Sequence, residues 1–294
     1  MKRIILIALA VAAAFAATPA KAANDTYFPY PIVPDSISTL QGRTTFLVDH
    51  FWDLCDLKKG FSSRAKMAGA LKDYLSFMPY ANARNVHKSI AIFLKKLDKQ
   101  PDDLLFIAQT AENLVHSDTA DIFSDEIFLP FAKAVADNKR IDKADRQHFE
   151  QQARVLLSTM TGSHMTDIPY TDRTGASATY SPDSSQVTLI FFNDPSNTTT
   201  TSIARARLNA DIKASEYIKS GIMKVVSISN VAPDENWKST AASFPEEWIV
   251  GTNPDIADIA DIRFTPSFYV IDQNGILLMK NANINQVIAI ISSL

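Results

Sequence analysis

Residues 265–275 read Thr265-Pro266-Ser267-Phe268-Tyr269-Val270-Ile271-Asp272-Gln273-Asn274-Gly275. Ser267 to Ile271 is a short aromatic and β-branched run, which predicts a strand covered on both faces. Asp272-Gln273-Asn274-Gly275 predicts a turn, because Asp and Asn hydrogen-bond their own backbone and Gly takes positive φ without strain. Ile276 to Met279 then predicts a second strand returning beside the first.

Working outward, Gln186 to Phe192 (QVTLIFF) and Met223 to Ser229 (MKVVSIS) predict two more central strands. Between them, after Asp194-Pro195-Ser196, one long helix is expected through Ile203, Leu208, Ile212 and Ile218, ending at Gly221. Upstream, pieces around Ile168-Pro169-Tyr170 and Ala178-Thr179-Tyr180 suit a small hairpin turning at Asp172-Arg173-Thr174-Gly175. Ile284 to Leu294 predicts a helix over the sheet. The expected order is hairpin, strand, helix, strand, long connection, strand, turn, strand, helix.

Before residue 163 the periodicity is helical. Met67, Leu71, Tyr74, Leu75 and Met78 make one stripe, and Val86, Ile90, Phe93, Leu94 and Leu97 a second. Leu104, Ala108, Ala111 and Val115 follow, opened by Pro101. Ile127, Phe128, Phe131 and Val135 follow Ser124 as N-cap, and Phe149, Ala153, Leu156, Leu157 and Met160 complete the set. Phe46 to Leu57 is also expected to be helical. Helices joined this closely form a bundle. The fold class is therefore an N-terminal helical bundle followed by an α/β part with a central sheet flanked by helices.

Lys2 and Arg3, the apolar run Ile4 to Ala17, and Ala20-Lys21-Ala22 have the form of a signal peptide cleaved after Ala22. No cysteine follows for lipid attachment, and no later run reaches the ~18 apolar residues of a membrane span. The expected layout is signal peptide 1–22, extended lead-in 23–44, helical domain 45–162 and sheet domain 163–294. The location implied is periplasmic or secreted, and the chain is not read as an integral membrane protein.

The 294 residues carry 29 basic and 32 acidic side chains, a formal charge of −3, which argues against a nucleic-acid binder. The single cysteine, Cys55, rules out a CxxC dithiol and an intrachain disulfide. Cys55 is the one thiol that could react, but its Phe51-Trp52-x-Leu54 context favours burial. No glycine loop for phosphate is present, no cofactor motif, and no histidine spacing for a metal. His50 with Asp53, and His116 with Asp118, read as surface or hydrogen-bonded histidines. Asp255, Asp258 and Asp261, spaced by three, read as a solvated face of a short helix. Ser196 to Thr201 reads as a polar N-cap run.

The order of elements from residue 164 onward, with Thr265-Pro266, the strand to Ile271, Asp272 and Asn274-Gly275, resembles the thioredoxin fold. Trp248-Ile249-Val250 is similar to a tryptophan-containing region of exported bacterial disulfide reductases. Phe46 to Leu57 (FLVDHFWDLCDL) resembles a helical domain of unknown function found ahead of such modules. The resemblance implies a cis Pro266 beside a peptide groove, with a CxxC opening the helix after the first central strand. Here Asn197 and Thr200 stand at the two cysteine positions, and Gln186 to Phe192 holds no carboxylate to carry protons. The chain is thus no competent dithiol oxidoreductase, and the reading leans away from an enzyme. What the resemblance leaves is binding of a peptide or protein partner of the cell envelope around Thr265, Pro266, Asn197 and Thr198. The alternatives are a structural or assembly component acting through the helical domain, and thiol-disulfide-related activity through Cys55.

Overall fold

Caps and apolar spacing set the helices of the first half. A computed structural model describes residues 26–120, 122–182 and 186–293, and the chain divides into two units, up to Asp145 and from Arg146. The proposed signal peptide lies outside the described residues. In the first unit, Thr39 caps α1 (Leu40–His50) by accepting from the Gly42 amide, and Asp56 caps the short α2 (Leu57–Gly60). α3 is Arg64–Phe77, followed by a 3₁₀ turn at Met78–Tyr80. Asn82 caps α4 (Ala83–Leu97) through the Arg84 and Asn85 amides. α5 is Pro101–Val115, and Ser124 caps α6 (Asp125–Ala136). α1 begins inside the segment expected to be extended, because Thr39 supplies a cap that outweighs the polar composition there. α7 (Lys143–Ser158) runs across the division.

Four of the five expected stripes are the buried faces; in the fifth, Leu157 is exposed, Met160 lies beyond the helix end, and Val155 is buried beside Phe149, Ala153 and Leu156. α4 buries Val86, Ile90, Phe93, Leu94 and Leu97, each worth about 1.5–3 kcal/mol when removed from water. Trp52 stacks on Phe93 with centroids 4.2 Å apart and planes 4° from parallel. The Tyr74 hydroxyl satisfies itself on Ser89 Oγ at 2.7 Å. The lead-in is tied down by aromatics: Phe28 meets Phe51 edge-on at 5.6 Å, and Tyr27 donates to the Gly60 carbonyl.

The second unit contains β1 (Ile168–Asp172), β2 (Ser177–Tyr180), β3 (Val187–Asn193), α8 (Thr198–Ala210), α9 (Ile212–Lys219), β4 (Met223–Ser229), α10 (Glu235–Ala241), β5 (Ile249–Thr252), β6 (Ser267–Ile271), β7 (Leu277–Ala282) and α11 (Ile284–Ser293). The sheet order is β2-β1-β5-β4-β3-β6-β7. β3, β4 and β5 run parallel, and the remaining neighbours are antiparallel. Alternation along β3 and β6 feeds two cores. Leu189, Phe191, Phe268 and Val270 pack with Leu208, Trp237, Val287 and Ile291 on one face. Ile190, Phe192, Tyr269 and Ile271 pack with Met165, Ile168 and Ile256 on the other.

In the first unit the helix expected over Phe46 to Leu57 stops at His50, and a turn carries the chain to the next helix at Leu57. In the second unit two details differ from the sequence reading. The single helix expected to Ile218 is two, because Asp211 is extended (φ −73°, ψ 123°) and caps α9 through the Ala214 amide. The long connection holds α10 and a strand, β5, which pairs with both β4 and β1. Only four residues long and containing Gly251, β5 lacks the apolar run that marks its neighbours. Gly251 is required there: a Cβ would overlap the Tyr170 ring.

The two hairpin turns are built alike. Asp172 Oδ1 accepts from the amides of Thr174 and Ala176, and Asp272 Oδ1 from those of Asn274 and Ile276. Gly175 and Gly275 follow at φ 90° and 80°.

Candidate functional site

The site grows from the C-terminal end of β3. Asn193 is buried, and its side chain joins two strands: Nδ2 donates to Ser227 Oγ at 2.9 Å, and Oδ1 accepts from Ser229 Oγ at 2.8 Å. The chain then turns. Asp194 Oδ1 accepts from the Ser196 amide at 2.8 Å, and the Asp194 carbonyl from the Asn197 amide at 3.0 Å. That turn launches α8 at Thr198. Asn197 occupies the N-cap position, yet its side chain caps nothing. Instead Nδ2 donates to the Thr265 carbonyl at 3.2 Å.

The register explains the meeting. β3 pairs with β6 so that Phe192 faces Ser267, which carries the 193–197 turn to the level of Thr265. The Thr265–Pro266 peptide bond is cis. Thr265 and Pro266 are half-buried; Asn197, Thr198, Thr199 and Thr200 are exposed. The Thr265 amide has no acceptor among the described residues.

The segment leading to Thr265 is held by a charge cluster that sequence reasoning missed. Asp261 Oδ2 accepts from Lys280 Nζ at 2.7 Å, from Arg263 Nη2 at 3.0 Å and from Arg263 Nε at 3.1 Å. All three side chains are at least nine-tenths buried. The Asp261 carbonyl accepts from Tyr269 Oη and Asn281 Nδ2, both at 2.9 Å. Asp261 is therefore no part of a solvated face, and Asp255 and Asp258 alone of that trio are exposed. The three acids do not line one helix, since only a 3₁₀ turn, Ile256–Asp258, forms there. Arg263, two residues from Asp261, was the sequence signal for the pair; Lys280 comes from β7 and carried none.

Of the residues singled out in the sequence, Asn197 and Thr265 are in contact. Thr198 opens α8 beside them, Pro266 follows Thr265, and Thr200 lies within the first turn of the helix and is exposed. Cys55 belongs to the other unit. Its thiol is half-buried, and burial, helped by Asp56 and opposed by Lys96, pushes it up to about 11. A thiol so shifted is a poor nucleophile at neutral pH. Amide, hydroxyl and backbone groups at the Asn197–Thr265 surface can donate and accept hydrogen bonds but offer no thiolate.

Comparisons with known proteins place this geometry. The crystal structure of a thioredoxin-like protein from Bacteroides caccae is similar with a TM-score of 0.75 at 18% identity, over 91% of this chain and 99% of that chain. The thioredoxin domain of a thiol-disulfide oxidoreductase from Bacteroides vulgatus aligns with 45% of this chain and 96% of its own at 17% identity, TM-score 0.39. The C-terminal domain of an uncharacterized protein from Bacteroides fragilis aligns with 46% of this chain and 99% of its own at 23% identity, TM-score 0.42. No curated protein matches. The sheet unit thus has a thioredoxin-like fold, as the Thr265–Gly275 stretch implied. No helix among the described residues is long and apolar enough to cross a membrane. Residues 12–158, half of the sequence, match the family described as "Domain of unknown function (DUF5106)", and the chain belongs to that family.

Proposed function

We propose that this chain is an exported, thioredoxin-like binding protein that holds an extended peptide or protein partner of the cell envelope and performs no dithiol chemistry. The observation that carries the reading is the half-buried Thr265 backbone, its amide without an acceptor, set against the exposed start of α8. An extended peptide adds to such a surface through main-chain hydrogen bonds. The Thr265 carbonyl is already held by Asn197, so the surface offers a single main-chain donor, flanked by the Asn197 and Thr198 side chains. That favours modest affinity. Asn197 and Thr200 at the family's cysteine positions, and Cys55 as the one thiol, support binding over exchange. In this reading residues 1–22 direct export, 45–162 form the helical domain and 163–294 the binding domain.

The test is a crosslinked pull-down from envelope extract with wild type beside Thr265→Arg, the two having matching circular dichroism, and with Thr198→Arg as a second variant on an exposed position. A defined protein captured by wild type and lost with either variant is the expected result. Capture of the same proteins by all three overturns the reading.

A further inference from the structure

The helical unit carries a second place where chemistry converges. A cleft of about 260 Å³ opens between the C-terminal end of α1 and the outer face of α4. Lys88, Ile92 and Lys96 form one wall. At i, i+4 and i+8 they lie in a single row on α4, and all three are exposed, Ile92 by 49%. Neither ammonium has a carboxylate within 4 Å among the described residues. Ile92 thus presents an apolar side chain to the cleft between two ammonium groups.

The facing wall is acidic. Asp49 Oδ2 accepts from Asn85 Nδ2 at 2.6 Å, and Asp53 Oδ2 meets His50 Nδ1 at 2.7 Å. His50 is held in turn by the Phe46 ring, 4.5 Å away. An ionised carboxylate has about four acceptor sites, so each aspartate is oriented by one neighbour and keeps capacity for more. Trp52 and Phe93, stacked on each other and only 5% and 1% exposed, close the cleft from below.

Cations on one wall, carboxylates on the other and an exposed aliphatic side chain, Ile92, complement one chemical class. We propose that this cleft binds a small zwitterion, a free α-amino acid with an apolar side chain. Its carboxylate meets Lys88 and Lys96, its ammonium meets Asp49 and Asp53, and its side chain lies on Ile92 above the edge of Trp52. The volume equals about nine waters at ~30 Å³ each, room for one amino acid and too little for a drug-sized ligand. A dianionic phosphate is disfavoured by the two aspartates. His50 is a positioning residue that fixes Asp53.

Isothermal titration of the full chain with L-phenylalanine tests this, with 3-phenylpropanoate (no ammonium) and 2-phenylethylamine (no carboxylate) as comparators. Saturable 1:1 binding of phenylalanine is expected, with each comparator at least tenfold weaker. Lys88→Gln with Lys96→Gln should weaken phenylalanine at least tenfold while leaving 2-phenylethylamine unchanged. Asp49→Asn with Asp53→Asn should likewise weaken phenylalanine at least tenfold, while leaving 3-phenylpropanoate unchanged. Absence of saturable binding by wild type, comparators equal to phenylalanine, or affinity untouched by both double variants each overturns the proposal. The outcome is independent of Thr265, whose variants should bind phenylalanine as wild type does.

Discussion

Replacing Asp261 by asparagine removes one charge and almost no volume from the cluster that holds the approach to Thr265. In the native chain a single oxygen, Oδ2, receives Lys280 at 2.7 Å and the Arg263 fork at 3.0 and 3.1 Å. Hydrogen bonds to charged groups contribute about 1.5–3 kcal/mol each, and breaking a buried pair by removing one partner costs about 3–5 kcal/mol, since the survivors stay buried without their counter-charge. With Arg263 and Lys280 both more than nine-tenths buried, the upper figure is the relevant one. For a domain of this size ~1 kcal/mol corresponds to about 2–4 °C in Tm, so Asp261→Asn should lower Tm by roughly 10–20 °C at ~5 kcal/mol. Thermal melts followed by far-ultraviolet circular dichroism read this directly. Asp255→Asn, the same chemical change on an exposed carboxylate, is the control and should stay within about 0.5 kcal/mol. A shift for Asp261→Asn no larger than that of Asp255→Asn would show that the cluster does not anchor the segment and would refute the argument.

Other consequences can be measured with equal directness. Asp172 is held below the usual carboxylate range by the Thr174 hydroxyl first, then by turn amides, and Asp272 by the Ile276 amide first. A depressed folded pKa gives stability that is complete above the unfolded value of ~3.9 and is lost as pH falls through the folded value. The stability gap between wild type and Asp272→Ala should therefore narrow as pH drops below that range in urea titrations, and a gap that widens contradicts the turn assignment. Cys55, with its thiol at about 11, is roughly 0.1% thiolate at pH 8, so alkylation by iodoacetamide should accelerate by about two orders of magnitude in denaturant; equal rates would mean the thiol is open. Gly251→Ala should cost about 1–3 kcal/mol by overpacking against Tyr170, read as a lower urea midpoint, and Tyr170→Ala in the same chain should recover part of it.

Much of the architecture was legible because it rests on periodicity. The α4 stripe from Val86 to Leu97 and the runs at β3, β4 and β6 are one-dimensional signals, and each became a buried face. The turn at Asp272 was legible for the same reason, since its bonds close within four residues. β5 was not. Its four residues owe their place to partners on both sides, β4 and β1, and no local pattern encodes a neighbour. The break at Asp211 was hidden because apolar residues continue past it at helical spacing, and only the cap distinguishes one helix from two. At the candidate site, the pairing of Asn197 with Thr265 was approachable through the thioredoxin resemblance. The burial of Asp261 was not, because its second cation comes from a strand 19 residues downstream. An acid spaced by three from two exposed acids looks solvated until the fold shows what lies over it.

The lock at the end of β3 and β4 is made of an amide and two hydroxyls, Asn193, Ser227 and Ser229. None of the three ionises between acid and alkali. The joint between β3 and β4 beneath the Asn197 turn is built from groups that carry no charge. The floor under the Asn197 turn therefore keeps one charge state and one hydrogen-bond pattern whatever the acidity outside. Any pH dependence at the Asn197–Thr265 surface must come from somewhere other than this joint.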